Sequence, residues 1–574
     1  MTYLWNYLPI TSEQTEASQA LARELGIHPV LGRLLVERGI HSAAQARKFF
    51  RPALPDLHDP FLMRDMDRAV ERLNLAMGRK ERILVYGDYD VDGTTAVALV
   101  YKFLRNFYSN IDYYIPDRYV EGYGVSHTGV DYAKQTGVKL VIVLDCGIKA
   151  VDEIAYAKDL GIDFIVCDHH VPDPTLPPAA AILNAKCPGN TYPFEHLSGC
   201  GVGFKFMQAF AKSNGIGFHL LIPLLDLVAV SIASDIVPIT GENRILAHHG
   251  LKQLNANPSV GMKAIIDVCG LAEREITVAD IVFKIGPRIN ASGRIQNGKE
   301  AVDLLIEKEF PAALAKARLI NQYNETRKDL DKTMTEEANR IVEDIDGLQE
   351  RHSIVIFNPD WHRGVIGIVA SRLTEIYFRP AVVLTRSGDL ATGSARSVAG
   401  FDVYKAIEHC RDLLESFGGH TYAAGLSMRA ERVEEFTRRF EDYVAAHIQP
   451  QQMCPVIDIN AEIDFRDITP KFHADLRRFN PFGPENVKPV FCTRNVYDYG
   501  TSKVVGREQE HIKLELVDNK SNCVMNGIAF GQSSRVRLIK TKRSFDICYT
   551  IEDNTHKRGE VQLQIEDIKP NEQQ

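Results

Sequence analysis

The sequence predicts a multidomain α/β protein with a parallel-sheet domain, a smaller α/β domain joined to it by a helical connector, and a C-terminal β-barrel. Its 574 residues correspond to roughly four domains at about 150 residues each. In two stretches, short β-rich runs alternate with amphipathic segments, which is typical of sheets covered by helices. The end of the chain instead contains many short β-like runs, at spacings that suit a small antiparallel barrel.

Residues 1–75 are predicted to be a helical region with the amphipathic segments SEQTEASQALARELG, LGRLLVERG and SAAQARKFF. Residues 76–240 form the predicted parallel-sheet domain, in which RILVYG, KLVIVLD and DFIVCD are strands and TTAVALVYKFLRNF is a helix. Ligands of such sheets bind beyond the carboxyl ends of the strands. The residues that follow each strand are therefore the first candidates for a functional site.

The other domains follow from the same patterns. Residues 241–345 are predicted to be helical, and they end in a charged stretch, ARLINQYNETRKDLDKTMTEEANRIVEDI, that is typical of a solvated connector helix. Residues 346–450 repeat the α/β pattern with HSIVIFN, VIGIVASRLTEIY and PAVVLT. Residues 451–574 contain the barrel strands, among them HIKLELVD, CVMNGIAF and VQLQIEDI.

Composition excludes several classes of protein. The apolar fraction of 45% and the charged fraction of 25% exclude wholesale disorder and a fibrous role. Ten irregularly spaced cysteines without a CxxC pair indicate neither a disulfide framework nor a zinc site. No segment approaches the roughly 18 consecutive apolar residues of a membrane span, and MTYLWNYLPI is not a charged leader. We expect a soluble, cytoplasmic protein, and the net charge of −8 argues against a generic basic nucleic-acid binder.

Three successive predicted strands end in residues suited to metal binding. The candidates are Asp88, Asp90 and Asp92 after RILVYG, Asp145 after KLVIVL, Asp168, His169 and His170 after DFIVC, and Asp235 after VAVSIAS. Alternate residues of an extended segment point the same way, so Asp90 and Asp92 can present two carboxylates to one cavity. Carboxylates with one or two imidazoles suit Mn²⁺ or Mg²⁺. A single aspartate after a strand is more often a helix N-cap, but capping does not explain an Asp-His-His at the same edge.

The motifs GDYDVDG, VLDCGI, VCDHH and ASDIVP resemble the four signature motifs of DHH phosphoesterases. Further segments resemble the RecJ family of single-strand-specific DNA exonucleases within that group. They are YYIPDRYVEGYG, LSGCGVGFK, GPRINASGR, WHRGVIGIVASRL, GSARS, FGGHTYAAG and FNPFGPEN. These segments occur in family order from about residue 20 onward, so the resemblance covers nearly the whole chain.

The resemblance implies a site with two metal ions, Mn²⁺ or Mg²⁺. Asp90 and Asp92 would each bind one metal, Asp145 would bridge both, and His169 and Asp235 would complete the ligand set. His170 resembles a partner of the substrate phosphate, and Asp88 resembles a supporting residue or an additional ligand. Many relatives in the wider superfamily have a histidine four residues before the first ligand, where this chain has Tyr86. That departure implies an incomplete ligand set for one metal, with a water ligand or weaker binding.

Two ions roughly 3.5–4 Å apart can ionise a water near neutral pH and stabilise charge on a phosphate, so the predicted reaction is phosphodiester hydrolysis. The resemblance also implies substrate-binding residues. Arg118 and Arg294 would hold phosphates beside the metals, because guanidinium binds phosphate oxygens in a bidentate manner. The remaining candidates are Arg288 and Asn290 in GPRINASGR, Ser394 and Arg396 in GSARS, and His420 in GGH, the last three contacting the terminal nucleotide.

The barrel region contains a basic segment, residues 519–545, without any acidic residue. Its basic residues are Lys520, Arg535, Arg537, Lys540, Lys542 and Arg543, and Phe530 and Phe545 lie beside them. On composition alone a solvated loop and a nucleic-acid surface are equally compatible with this segment. The resemblance implies that the barrel is an OB-fold, a fold that binds single strands through basic grooves and aromatic side chains.

The sequence therefore predicts a metal-dependent exonuclease that degrades single-stranded DNA. By resemblance, it would work from the 5′ end in recombination and repair, with single-strand-binding protein and a helicase as partners. Two alternatives stay open. One is a DHH phosphoesterase that acts on short oligonucleotides, cyclic dinucleotides or pyrophosphate, and the other is a non-catalytic DNA-binding scaffold.

Overall fold

The computed structural model describes residues 3–345, 347–541, 543–554 and 559–571. The chain divides into two compact units, one of Met1–Ala53 with Pro455–Gln574 and one of Leu54–Cys454. The first unit begins with a strand and three helices. They are β1 (Leu4–Tyr7), α1 (Ser12–Leu25), α2 (Pro29–Glu37) and α3 (Ala43–Phe50).

The second unit begins with the α/β domain that the sequence predicts. Its elements are α4 (Met66–Gly78), β2 (Arg82–Gly87), α5 (Val91–Arg105), β3 (Ile111–Tyr114), α6 (His127–Gln135), β4 (Val138–Leu144), α7 (Val151–Asp159), β5 (Asp163–Cys167), β6 (Ala181–Leu183), α8 (Gly199–Ser213) and α9 (Leu225–Ser234). The five strands form a parallel sheet in the order β3-β2-β4-β5-β6. Because helices cover both faces, the strands are continuous apolar runs. One face packs against α5, α8 and α9, and the other against α6 and α7.

A helical segment follows and includes the predicted connector. Its helices are α10 (Gly241–Ala256), α11 (Val260–Val268), α12 (Val278–Asp280), α13 (Gly286–Ile295), α14 (Lys299–Leu305) and α15 (Phe310–Glu343), and a π-helix (Ile281–Ile285) joins α12 to α13. The 34-residue α15 is the charged stretch of the sequence. It packs first on the core of the parallel-sheet domain, through Ala313, Ala317 and Ile320, and then on the next domain, through Met334 and Ala338. It is therefore a connector with one buried stripe.

The smaller α/β domain completes the second unit. Its elements are β7 (Ile354–Phe357), α16 (Ile366–Tyr377), β8 (Ala381–Ser387), β9 (Leu390–Arg396), α17 (Val403–Glu408), β10 (Ser416–His420), β11 (Ala423–Arg429) and α18 (Val433–His447). The sheet order is β10-β11-β9-β8-β7, and only β7 and β8 are parallel. Helices α15 and α16 cover one face, and α17 and α18 cover the other.

The first unit ends in the predicted barrel. Its elements are β12 (Val456–Ile459), β13 (Ala461–Glu462), α19 (Pro470–Arg477), β14 (Phe491–Asp498), β15 (Lys503–Val505), β16 (His511–Asp518), β17 (Val524–Ala529), α20 (Val536–Ile539), β18 (Phe545–Asp553) and β19 (Val561–Pro570). Five strands close in the order β14-β18-β19-β17-β16 and back to β14, with β17 and β19 parallel. This closed five-stranded Greek-key barrel is an OB-fold.

The N-terminal helices share the core of the barrel. Leu31, Leu34 and Leu35 of α2 are fully buried in one cluster with Phe472 and Phe479. Strand β1 also pairs in parallel with β12. The structure thus divides residues 1–75, which the sequence pattern presents as one helical region, between the two units.

Candidate metal centre

The three predicted strand ends lie side by side. In the sheet register, Gly87 at the end of β2 is opposite Leu144 of β4, and Leu144 is opposite Cys167 of β5. The next residue in each segment is Asp88, Asp145 and Asp168. Asp145 has a left-handed backbone, with φ of 59°, so the chain turns sharply there. The carboxyl edge of the sheet therefore collects three acidic residues.

The segment after β2 is not extended, which corrects the alternation argument made from the sequence. Asp90 is the N-cap of α5 and accepts a hydrogen bond from the Gly93 amide at 3.0 Å, while Asp92 lies in the first turn of that helix. The two carboxylates consequently face different partners. A Cβ at Gly93 would lie 2.4 Å from the Asp88 carbonyl oxygen, so the tight turn requires glycine.

Two sets of ligand atoms result, each within 4.8 Å of one another. We call Asp88, Asp90 and Asp145 the first ligand group, and Asp92, His169 and Asp235 the second. His169 Nε2 links them, because it lies 3.1 Å from Asp145 Oδ1, 3.5 Å from Asp235 Oδ2 and 3.7 Å from Asp92 Oδ2. Asp145 and His169 also form a set with His170.

Asp92 is held by residues that the sequence patterns did not indicate. Its carboxylate accepts hydrogen bonds from the amides of Gly199 and Cys200, at 2.6 and 2.8 Å, and from the Ser231 hydroxyl at 2.6 Å. The two amides are at the N-terminus of α8, where the helix dipole favours a negative charge. LSGCGVGFK was noted for its resemblance, but its contact with Asp92 depends on folding across more than 100 residues.

Packing so many carboxylates together opposes their ionisation. Burial and the charge of Asp90 raise the pKa of Asp88 well above its usual range. Burial and the charges of Asp92 and Asp90 raise the pKa of Asp145 in the same way. For Asp235, burial and the same two charges raise the pKa to about 9. A bound cation would remove this repulsion.

Several buried polar atoms of the cluster also lack partners. Asp88 Oδ1 and both ring nitrogens of His169 accept or donate no hydrogen bond among the described residues. Burial lowers the pKa of His169 to about 4, so its imidazole is neutral and able to bind a metal. Oxygen-rich groups with one imidazole fit Mn²⁺ or Mg²⁺. The donor set and its unsatisfied atoms therefore fit two divalent cations.

Asp168 orients the histidine pair. Its Oδ1 accepts hydrogen bonds from the amides of His169 and His170 and from His170 Nδ1 at 2.8 Å, and its Oδ2 accepts one from the Ile148 amide. Burial raises the pKa of Asp168, but the hydrogen bond and charge of His170 outweigh it, and the net shift is downward. Burial lowers the pKa of His170, yet the bond to Asp168 produces a net rise. The bond to Asp168 fixes the ring of His170, whose Nε2 lies 3.4 Å from the Tyr123 hydroxyl.

Tyr86 does not face the ligand groups. Its hydroxyl donates to the Gly124 carbonyl at 3.0 Å, and its ring stacks on Tyr114 at 5.2 Å in the core beneath α6. The sequence departure at Tyr86 implied an incomplete ligand set for one metal. In the structure, the first ligand group obtains its third carboxylate from Asp88.

Three of the predicted arginines form a positive region between the two α/β domains of this unit. Arg118 lies over the Tyr89 ring at 4.9 Å, Arg294 donates to the Gly364 carbonyl at 3.0 Å, and Arg396 donates to Ser394 Oγ at 2.9 Å. Burial and the charges of Arg118 and Arg396 lower the pKa of Arg294 to about 10. The mutual effect of these cations makes the region suited to a phosphate group.

The other predicted substrate residues are distributed differently. His420 of the smaller domain stacks on His170, with ring centroids 6.2 Å apart, so it lies at the cluster. Asn290 accepts a hydrogen bond from the Val91 amide at the start of α5. Arg288 binds Asn321 Oδ1 and the Lys284 carbonyl. The structure thus gives Asn290 and Arg288 bonds to the protein itself.

Three of the six basic residues in the basic segment of the barrel pair with acidic residues from other parts of the chain. Lys520, Arg535 and Lys540 form ion pairs with Asp464, Asp567 and Asp498, respectively. Phe545 is buried in the barrel core, whereas Phe530 is half exposed. Lys542 lies outside the described residues. The free positive charge of the segment is therefore smaller than its sequence, which contains no acidic residue, suggests.

Three family models match the chain. The "DHH family, N-terminal domain" matches residues 82–232, the "DHHA1 domain" matches residues 351–446 and the "RecJ OB domain" matches residues 459–567. In the described parts of the chain, no helix is long and apolar enough to span a membrane.

Curated relatives carry the name single-stranded-DNA-specific exonuclease RecJ. The protein of Bacillus subtilis is 37% identical over 88% of this chain, which spans 64% of that protein's length. The proteins of Escherichia coli and Haemophilus influenzae are 32% and 31% identical, over 94% and 95% of this chain and 95% and 96% of their own lengths.

Solved structures extend the comparison. RecJ of Thermus thermophilus in complex with Mn²⁺ has a TM-score of 0.84 at 24% identity, over 99% of this chain and 80% of that one, and so shares the fold. The same protein has been solved with Mg²⁺, with a TM-score of 0.78, 23% identity, and coverage of 99% of this chain and 79% of that one. An exonuclease RecJ bound to manganese has a TM-score of 0.59 at 30% identity, over 68% of this chain and 96% of that one.

Proposed function

This chain belongs to the RecJ family of single-stranded-DNA-specific exonucleases, and from that premise we propose that it hydrolyses single-stranded DNA from the 5′ end at its two ligand groups. The observation that carries the proposal is the convergence of five carboxylates and His169 at one sheet edge, with buried polar atoms left unsatisfied. The chain spans 64% of the length of the Bacillus subtilis relative but 95% of the length of the Escherichia coli relative, and the proposal rests on the site and on the latter match together.

The two ligand groups would hold Mn²⁺ or Mg²⁺. Asp88, Asp90 and Asp145 supply only oxygen atoms to the first, and Asp92, His169 and Asp235 supply two carboxylates and an imidazole to the second. When bound, the cations would promote ionisation of the attacking water and stabilise negative charge on the scissile phosphate. No side chain of the cluster has to act as a nucleophile.

The surrounding residues would position the strand. His170, whose Nδ1 is bonded to Asp168, would donate from Nε2 to an oxygen of the scissile phosphate. Arg118, Arg294 and Arg396 would hold the terminal phosphate, with Ser394 as a further donor. His420 stacks on His170 and would close the site from the smaller domain.

The barrel would bind the rest of the strand on the outer face of β15, β16 and β17. Lys503 is opposite Lys513, and Lys513 is opposite Ile528, so these three side chains share one face. His511 and Phe530 pack edge to face beside them at 5.0 Å. Neither lysine forms an ion pair among the described residues. A basic face with an exposed aromatic ring suits the phosphates and bases of a single strand.

This barrel face favours a polymeric substrate over the short oligonucleotides or cyclic dinucleotides on which the alternative phosphoesterase would act. The complete ligand groups argue against a non-catalytic scaffold, which does not require them. As finer proposals, the enzyme would act in the cytoplasm in recombination and repair, with single-strand-binding protein and a helicase that supplies single strands.

Digestion of end-labelled single-stranded DNA tests the proposal. With Mn²⁺ or Mg²⁺, a chemical block at the 5′ end should stop digestion and a block at the 3′ end should not. Digestion that only a 3′ block stops would contradict the polarity, and release of nucleotides only from very short fragments would favour the alternative phosphoesterase.

A further inference from the structure

An exposed tyrosine outside the predicted set of site residues lies beside the metal centre. Tyr123 donates from its hydroxyl to the backbone carbonyl of Asp145 at 3.2 Å, and the same hydroxyl oxygen lies 3.4 Å from Nε2 of His170. The Tyr123 ring packs edge to face on the His170 imidazole, with ring centroids 6.0 Å apart. These contacts place the ring next to the position proposed for the scissile phosphate.

Most of the Tyr123 side chain is nevertheless exposed. The residue is 57% exposed, although its hydroxyl contacts the buried Asp145. The hydroxyl is therefore held by the protein while the ring is accessible from outside. Aromatic rings that are presented in this way are the surfaces on which the bases of a single strand stack.

The loop that carries Tyr123 is held by hydrogen bonds on both sides of it. Glu121 accepts a hydrogen bond from the Asp117 amide at 2.8 Å, and the Gly124 carbonyl accepts one from the Tyr86 hydroxyl at 3.0 Å. Tyr86, the position at which the sequence departs from the wider superfamily, thus supports this loop. Because the loop is already ordered, binding a ligand on the ring would cost little conformational entropy.

The same loop extends between the two phosphate positions of the proposed function. Arg118, which would hold the terminal phosphate, precedes Tyr123 by five residues. Tyr123 itself contacts His170, which would bind the scissile phosphate. The 5′-terminal nucleoside is the part of the strand that joins these two phosphates, so it lies alongside this loop.

We propose that the Tyr123 ring stacks on the base of the 5′-terminal nucleotide and holds that nucleotide while its phosphodiester bond is cut. Every base has a π-face, so the contact accepts all four bases. This inference rests on the proposed function and adds a binding residue for the terminal base to it.

Strands that lack a single base test this contact. Each strand carries a 5′ phosphate and a 3′ label, and a tetrahydrofuran abasic residue replaces either the first or the third nucleotide. The measured quantity is kcat/KM for loss of the full-length strand in Mn²⁺. We expect the wild type to lose about tenfold when the first base is missing, which is the size of effect that stacking on one aromatic side chain produces.

Variants of Tyr123 separate the ring from the hydroxyl. Y123A should be about tenfold slower than the wild type on the unmodified strand and should no longer depend on the first base, because the stacking partner is gone. Y123F keeps the ring and should still depend on the first base. An abasic residue at the third position should have the same effect in the wild type and in Y123A.

Tyr156 provides the matched control. It is an exposed tyrosine of α7 whose hydroxyl donates to Asp131 at 2.8 Å and whose ring packs on His127. Y156A should show the wild-type dependence on the first base. The Mn²⁺ content of Y123A should equal that of the wild type, which shows that the metal centre is intact.

A wild type that is indifferent to the first base, or a Y123A enzyme that keeps the wild-type dependence on it, would overturn the inference. Loss of that dependence in Y123F would also overturn it, because the hydroxyl and not the ring would then be responsible. A lower Mn²⁺ content in Y123A would assign Tyr123 to the metal centre instead. If the wild type does not digest the unmodified strand, the proposed function itself fails, and that result is distinguishable from failure at Tyr123 alone.

Discussion

Replacement of Gly199 by alanine should disable the metal centre without unfolding the protein. Gly199 is the first residue of α8, and a Cβ there would lie 2.6 Å from Asp145 Cβ, 2.8 Å from its Oδ1 and 2.9 Å from its Cα. Ordinary contact begins at about 3.4 Å, so the two segments would have to separate by about 0.8 Å. Both segments in this contact belong to the metal centre, because Asp145 is in the first ligand group and the Gly199 amide donates a hydrogen bond to Asp92.

A displacement of about 1 Å in a catalytic group can cost about 100-fold in rate. We therefore expect G199A to lose about 100-fold in kcat on single-stranded DNA and to bind Mn²⁺ more weakly. The assay is digestion of a labelled strand at saturating Mn²⁺, with calorimetric titration of the metal.

Gly201 of the same helix provides the control. A Cβ there would meet Ser198 Oγ at 3.3 Å and other atoms only at 3.5 Å, so G201A should retain activity. Alanine is a better helix former than glycine, and neither variant should unfold α8. A folded G199A enzyme within threefold of the wild-type kcat would refute this reasoning.

Three further predictions concern the same unit. S231A removes the hydroxyl that donates to Asp92 at 2.6 Å and should weaken Mn²⁺ binding about 10-fold in a titration, because such supporting bonds orient metal ligands; an unchanged affinity would contradict this. The pKa of Asp235 is about 9 in the metal-free folded protein and 3.8 in the unfolded chain, so between these values the folded protein retains a proton that the unfolded chain loses. The thermal stability measured in the presence of a chelator should therefore fall as the pH rises from about 4 to about 9. Saturating Mn²⁺ should remove that fall, and a metal-free stability that rises over this range would contradict the shift. K205A leaves the buried Glu242 without its ion pair and should lower the free energy of unfolding by about 3 kcal/mol in denaturant titrations. A loss below about 1 kcal/mol would show that the ion pair does not stabilise the fold.

The convergence of the candidate ligands could be predicted from the sequence because most of them follow strands. Strand register alone brings Asp88, Asp145 and Asp168 to one edge, and a strand end is a local signal. For Asp90 and Asp92 the assumed extended backbone was wrong, because Asp90 caps a helix that begins at Val91, although both carboxylates still lie in the cluster.

Nonlocal contacts explain what the sequence could not predict. The bonds from Gly199 and Ser231 to Asp92 join residues 107 and 139 positions apart. Neither the pairing of β1 with β12 nor the packing of α2 on the barrel core is encoded in a local pattern. Nonlocal contacts also explain why the free positive charge of the barrel's basic segment was overestimated. Asp464 and Asp498, which pair with Lys520 and Lys540, come from other segments.

Counting the bound Mn²⁺ ions tests the central claim, that two cations held by these side chains cut the strand. The measurement is metal content per chain at saturation, paired with turnover, in the wild type and in D145A. We predict two ions in an active wild type, and fewer than two ions with no turnover in a folded D145A protein, since Asp145 is a ligand of the first group and adjoins the second. An active wild type that binds fewer than two ions, or a D145A protein that binds metal and keeps substantial activity, would contradict the account.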